Sequence, residues 1–153
     1  MTSETHELNR KCAEMISMCA CLSARKASRA ITQLFDEKLR PCGIRVTQLP
    51  VLVLLFSDPS TTMVRLTEHL IMDRTSLTRL LKPLQEGGLI NISRGNDRRT
   101  RVMSLSKRGR QTLLDAIPLW EIAQAHVVEQ LGDSQWKLLH ANLEAVAAKI
   151  SDR

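Results

Sequence analysis

Tyrosine is missing from this chain of 153 residues, and aromatic side chains make up only 3% of it. Recognition of single-stranded nucleic acid relies on stacking bases against aromatic faces, so single-stranded RNA and DNA fall down the list of partners. Long apolar runs are missing as well. The longest, Leu49 to Phe56, is far short of the roughly 18 residues that a membrane span requires, and no charged start followed by an apolar run marks a secretory signal. The chain is therefore expected to be cytoplasmic. Its four cysteines, Cys12, Cys19, Cys21 and Cys42, are expected to be reduced thiols rather than a disulfide framework.

Catalytic groupings do not emerge. His6, His69, His126 and His140 are scattered, and no Ser/His/Asp or Cys/His set, glycine-rich phosphate loop or paired carboxylate accompanies them. His69 and Asp73 stand four apart but across an expected turn, which argues against a shared metal-binding face. No enzyme, metal site or cofactor is expected.

What the chain does have is an uneven charge. The net charge is +6 and the pI is near 9.5. Between residues 74 and 110, ten basic side chains face only Glu86 and Asp97, an excess of eight that leaves the remainder slightly acidic. Clustered basic charge favours a polyanionic partner. A content of 43% hydrophobic residues in 17.2 kDa is enough for one domain-sized core.

Residues 8 to 39 lack Gly and Pro and follow helical spacing, which predicts one long first helix ended by Pro41 and Gly43. Thr47 is the expected cap of a second helix, with Pro50 in its first turn. Thr62 is expected to cap a short third helix, with Leu66 and Leu70 turned inward. Asp73 then opens a fourth, whose Leu77, Leu80, Leu81 and Leu84 recur at i, i+3, i+4 and i+7, and Gly87 and Gly88 end it through a left-handed cap. Pro83 inside it would cost about 3 kcal/mol in an ideal helix interior, and a local kink is expected.

Strands are expected around Leu89 to Arg94 and Arg101 to Ser106, bracketing the turn Gly95-Asn96-Asp97. A long helix from Lys107 to about Leu131, kinked at Pro118, and a last helix capped by Asp133 complete the chain. The fold class is thus mainly α with a small β-hairpin wing: a winged helix-turn-helix with six helices. Because the terminal helices hold more apolar surface than a small central module can cover, an interleaved homodimer is inferred. Residues 1–40 and 111–153 would serve dimerisation and 41–110 DNA binding.

The exposed face of the fourth helix carries Arg74, Thr75, Ser76, Thr78, Arg79 and Lys82. Short hydroxyl side chains let a backbone approach the major groove, while Arg and Lys reach base edges or phosphates. Arg98, Arg99 and Arg101 load the hairpin tip, where an arginine can enter the minor groove. Asp97 would hold a neighbouring arginine rather than face phosphate.

The segment Met72 to Arg79, followed by Leu84 and Gly88-Leu89-Ile90, together with Asp97-Arg98-Arg99 and, five residues on, Leu105-Ser106-Lys107-Arg108-Gly109, resembles the recognition helix and wing signature of MarR-family transcriptional regulators. The resemblance covers nearly the whole chain, with Ser106 where the signature has Thr and Ile71 at a turn where many such motifs carry Gly. It implies Arg99 as a minor-groove arginine, Asp97 as its support, and residues 75 to 82 in the major groove of a pseudo-palindromic duplex. It also implies a repressor released by a small aromatic or phenolic effector; its pocket is expected near Met15, Met18, Leu22 and Trp120, from their apolar character and the Pro118 kink.

Two alternatives stand beside that reading. One is thiol-based redox or electrophile sensing through Cys19 or Cys21, with Cys12 as a further candidate. In a continuous helix, however, residues i and i+2 diverge by about 200°, which disfavours a chelate or disulfide between Cys19 and Cys21. The other is an architectural DNA-binding protein without effector control.

Overall fold

The computed structural model describes residues 3–95 and 101–151 and divides into two compact units, Met1–Leu34 and Phe35–Arg153. The first unit holds helix α1 (Ser3–Met18) and most of α2 (Ala20–Leu39). The expected single helix over 8–39 is therefore two, and the described residues form seven helices rather than six. The break falls at Cys19, where no Gly or Pro announces it. There the thiol itself takes the place of a cap: Cys19 Sγ accepts from the Leu22 N–H at 3.4 Å, and its carbonyl accepts from Ser23 N–H at 3.0 Å.

In the second unit, a 3-10 turn (Arg40–Cys42) closed by left-handed Gly43 leads to α3 (Leu49–Ser57). The stretch Val51 to Phe56 is helical, as expected of the second helix. Its N-cap is Gln48 rather than Thr47, and no side chain caps it. Gln48 Oε1 instead accepts from Arg45 N–H at 2.9 Å, and Asp36 Oδ1 accepts from Val46 N–H at 2.7 Å. The connecting loop is thus organised before α3 begins.

Strand β1 (Thr61–Thr62), which has too few residues to show a period, was not expected. It pairs antiparallel with β3 (Arg101–Leu105), which also pairs with β2 (Ile90–Arg94) in the register Ile90↔Leu105 to Arg94↔Arg101. Between β1 and β2 lie α4 (Met63–Leu70) and α5 (Arg74–Glu86); α6 (Lys107–Leu131) and α7 (Asp133–Ser151) follow the sheet. Both α5 and α6 run through their prolines, Pro83 and Pro118.

Asp133 lies in the first turn of α7, and the Gly132 carbonyl accepts its first bond, from Trp136 N–H at 3.0 Å. Gly132, in a left-handed φ of 79°, therefore takes the junction that Asp133 was expected to cap. The core gathers Leu39, Val51, Leu52, Leu55, Leu66, Leu77, Leu84 and Met103, each no more than 1% exposed. Removing a leucine side chain from water contributes about 1.5–3 kcal/mol, so this interior is what fixes α4, α5 and the hairpin.

Candidate nucleic-acid interface

Both α4 and α5 start on side-chain caps that the sequence spells out. Thr62 Oγ1 accepts from Arg65 N–H at 3.4 Å at the start of α4. Asp73 Oδ1 accepts from Ser76 N–H at 2.9 Å at the start of α5, while Ser76 Oγ donates to Asp73 Oδ2 at 2.6 Å. These bonds to Ser76 hold the Asp73 carboxyl below the ordinary aspartate range.

Both helices end in the same pattern of crossed bonds. For α5, Leu89 N–H reaches Leu84 O and Gly88 N–H reaches Gln85 O, both at 2.9 Å, with Gly88 at φ 68°. For α4, Met72 N–H reaches Thr67 O and Ile71 N–H reaches Glu68 O, the arrangement of a Schellman cap. Here the left-handed residue is Ile71 (φ 50°, ψ 49°), the only non-glycine with positive φ among the described residues. A β-branched side chain in that region is strained. The helix-turn-helix corner is therefore built against local preference.

The base of the hairpin is locked to α6 by the Leu105-Ser106-Lys107-Arg108-Gly109 motif. Ser106 Oγ accepts from Gly109 N–H at 2.9 Å and donates to Gly88 O at 2.6 Å, while Ser106 N–H donates to Leu89 O at 3.0 Å. A Cβ on Gly109 would stand 1.9 Å from the Leu89 carbonyl oxygen. Only glycine admits that approach, which is the physical content of the motif's last position.

On the outer side, α5 and the hairpin bound a cleft of about 750 Å³ lined by Arg74, Thr78, Leu81, Lys82 and Gln85 of α5, by Thr62, Met63, Val64 and Thr67 around the start of α4, and by Ile92 and Arg101. Three of these residues are cations and none is acidic. Lys82 lies 3.8 Å from Glu86 in an exposed pair, and exposed pairs of this kind are worth little. Arg74, Arg79 and Arg101 have no acidic partner among the described residues. Of the residues expected at this face, Thr75 and Arg79 are also exposed on α5, outside the cleft lining. Gln85 was missed: a lone polar residue near a helix end carries no signal until the cleft is seen.

Asp97, Arg98 and Arg99 lie outside the described residues. Met15 and Met18 line a shallow depression with Glu14 and Cys19 in the first unit, Leu22 is half-buried on α2, and Trp120 is 40% exposed on α6 in the second unit. Cys12, Cys19 and Cys21 are exposed. Cys42 is partly buried, and burial, aided by the Asp115 charge, pushes its thiol pKa up. No group of three or more His, Cys, Asp or Glu suited to a metal ion occurs among the described residues.

The transcriptional regulator MosR of Mycobacterium tuberculosis, solved in complex with DNA, shares 32% identity with this chain, over 88% of this chain and 99% of its own, at a TM-score of 0.79. The chain belongs to the MarR family of transcriptional regulators. This MarR-family chain is also 29% identical over 100 residues to the HTH-type transcriptional regulator YwoH of Bacillus subtilis (strain 168), covering 65% of this chain and 67% of that one. CouR, a transcriptional repressor from Rhodococcus jostii RHA1 solved on a 23-mer DNA duplex and with p-coumaroyl-CoA, shares the fold at 24% identity in its DNA-bound form, over 87% and 95% of the two chains with a TM-score of 0.78. No family model matches the chain.

Proposed function

We propose that this MarR-family chain is a dimeric repressor of transcription that binds a pseudo-palindromic double-stranded DNA operator, acting in the cytoplasm where that DNA lies. The observation that carries the reading is the outer face of the winged lobe, where Arg74, Arg79 and Arg101 stand exposed with no acidic partner among the described residues. Charge arranged this way suits phosphate and base edges. In this reading α5 enters the major groove, Arg99 is the minor-groove arginine, and Asp97 is its support.

Residues 1–40 and 111–153 would bury their apolar faces against a second copy, with residues 41–110 as the DNA-binding module. Two-fold symmetry then sets the half-sites about 34–36 Å apart. Release would come from a small aromatic or phenolic effector that prefers the conformer unable to bind DNA, since equal affinity for both conformers shifts nothing. In this reading Met15, Met18 and Leu22 of the first unit line its pocket, and CouR, solved with p-coumaroyl-CoA, supports regulation by a phenolic ligand.

Footprinting over the DNA flanking the gene tests the proposal. Protection of an inverted repeat supports it; uniform affinity for unrelated duplexes favours an architectural protein instead.

A second reading, a thiol switch, is favoured by the break at Cys19. With Cys19 outside helical geometry, the divergence that separates i and i+2 in a continuous helix no longer applies to Cys19 and Cys21. Cys12 shares the exposure that such chemistry requires, whereas the raised pKa of Cys42 keeps it a poor nucleophile. Oxidant-dependent loss of operator binding that disappears in Cys19→Ser or Cys21→Ser supports the switch, and unchanged regulation in both variants removes it.

A further inference from the structure

Thr75, Ser76, Thr78 and Arg79 are neighbouring polar side chains on α5, and their hydrogen bonds divide them. Ser76 Oγ spends its proton on Asp73 Oδ2 at 2.6 Å, and Thr78 Oγ1 spends its proton on the Arg74 carbonyl at 2.7 Å. A hydroxyl has one proton to donate and two lone pairs to accept with. As held here, Ser76 and Thr78 turn only lone pairs outward. Phosphate oxygens, guanine O6 and N7, and thymine O4 are all acceptors, so these two hydroxyls cannot bond them without first breaking an internal bond. Ser76 is tied doubly, because its N–H also serves the same carboxylate.

Thr75 and Arg79 differ from both. They are exposed, and neither side chain has a hydrogen-bond or ion-pair partner among the described residues. They stand four apart, and so lie one above the other on the same face of α5. A threonine hydroxyl free to donate or accept beside a guanidinium with a rigid donor fork forms a two-residue reading head in the first half of the helix, the half that meets base edges in this class of motif.

We infer that the base acceptors met by α5 are read by Thr75 and Arg79, while Ser76 and Thr78 shape the helix and contribute no donor to DNA. This rests on the proposed DNA-binding function and goes beyond it by dividing one helix face into readers and props.

The test measures affinities of the full-length protein for a panel of duplexes carrying every single base change across one half-site. Thr75→Val removes the hydroxyl and keeps the shape; it should lower discrimination at one base position by about tenfold. Thr75→Ser should restore that discrimination. Arg79→Lys, which loses the fork, should flatten preference at a neighbouring position by a similar factor. Thr78→Val, whatever it does to overall affinity, should leave preference at the positions read by Thr75 and Arg79 within about twofold of the parent. A profile altered by Thr78→Val and untouched by Thr75→Val overturns the inference while leaving DNA binding intact. If the parent protein prefers no duplex over another, the operator-binding reading itself fails, and the assignment of readers falls with it.

Discussion

Large apolar side chains in two parts of this chain meet opposite fates. In the winged lobe, Leu66, Leu77 and Leu84 are at most 1% exposed; in the first unit, Leu8, Met15 and Met18 are 61%, 71% and 82% exposed. The lobe closes its own core from α3, α4, α5, the sheet and the start of α6, and so fixes its outer cationic face without help. The N-terminal helices carry an apolar face with no buried residue along 4–34. The difference teaches that the binding surface is a property of one chain, whereas the terminal helices are built for something that one chain does not supply. We assign that role to a second copy.

The comparison breaks most sharply at the core. Leu66→Ala should cost about 4 kcal/mol in urea denaturation, because the interior around it cannot fully collapse. Met18→Asp, by contrast, should leave the winged lobe's stability within about 0.5 kcal/mol, yet raise the dissociation constant of the proposed dimer in sedimentation equilibrium by about tenfold or more, because in that dimer it would place a charge in a desolvated interface. Equal effects of the two changes on the lobe would erase the distinction. Next in size is Gly109→Ala, expected to cost about 3 kcal/mol, since its Cβ meets the Leu89 carbonyl and the hairpin base must shift.

Acid should act on the lobe through its caps. Asp73, stabilised as an anion first by Ser76, and Asp58, stabilised first by Ser60 N–H, both have lowered pKa values. Their contribution is complete above the ordinary aspartate pKa of about 3.9 and is lost as pH falls through the lower folded values. Urea midpoints should therefore decline only below about pH 4. Asp73→Asn, which can still cap but does not titrate, should make that decline shallower.

The smallest effect sharpens the comparison within the lobe. Gly88 and Ile71 end neighbouring helices in the same left-handed conformation. Ile71→Gly should raise stability by about 0.5–1 kcal/mol in the same assay, relief of the left-handed strain outweighing the added chain entropy. A loss would show that the exposed Ile71 side chain packs usefully.

Much of this lobe was legible because its signals are local. Thr62 and Asp73 cap through their own oxygens, Gly88 takes a conformation few residues tolerate, and the i, i+3, i+4, i+7 leucines of α5 give its buried face. The break at Cys19 was not legible, since a cysteine capping through sulfur carries no common breaker signature. Gln48 displaced Thr47 because Arg45 and Asp36 organise the loop, a tertiary effect. A two-residue strand such as β1 has no period to detect. The division between Thr75 and its neighbours depends on which internal acceptors the hydroxyls find, and residue type alone does not tell.

The central claim is that the cationic face of the winged lobe holds duplex DNA. The direct measurement is the affinity for the footprinted operator as salt is raised from about 50 to 200 mM; about seven phosphate contacts predict log K falling against log salt with a slope near −6. A flat response, or no binding to any duplex at the lowest salt, would contradict the account.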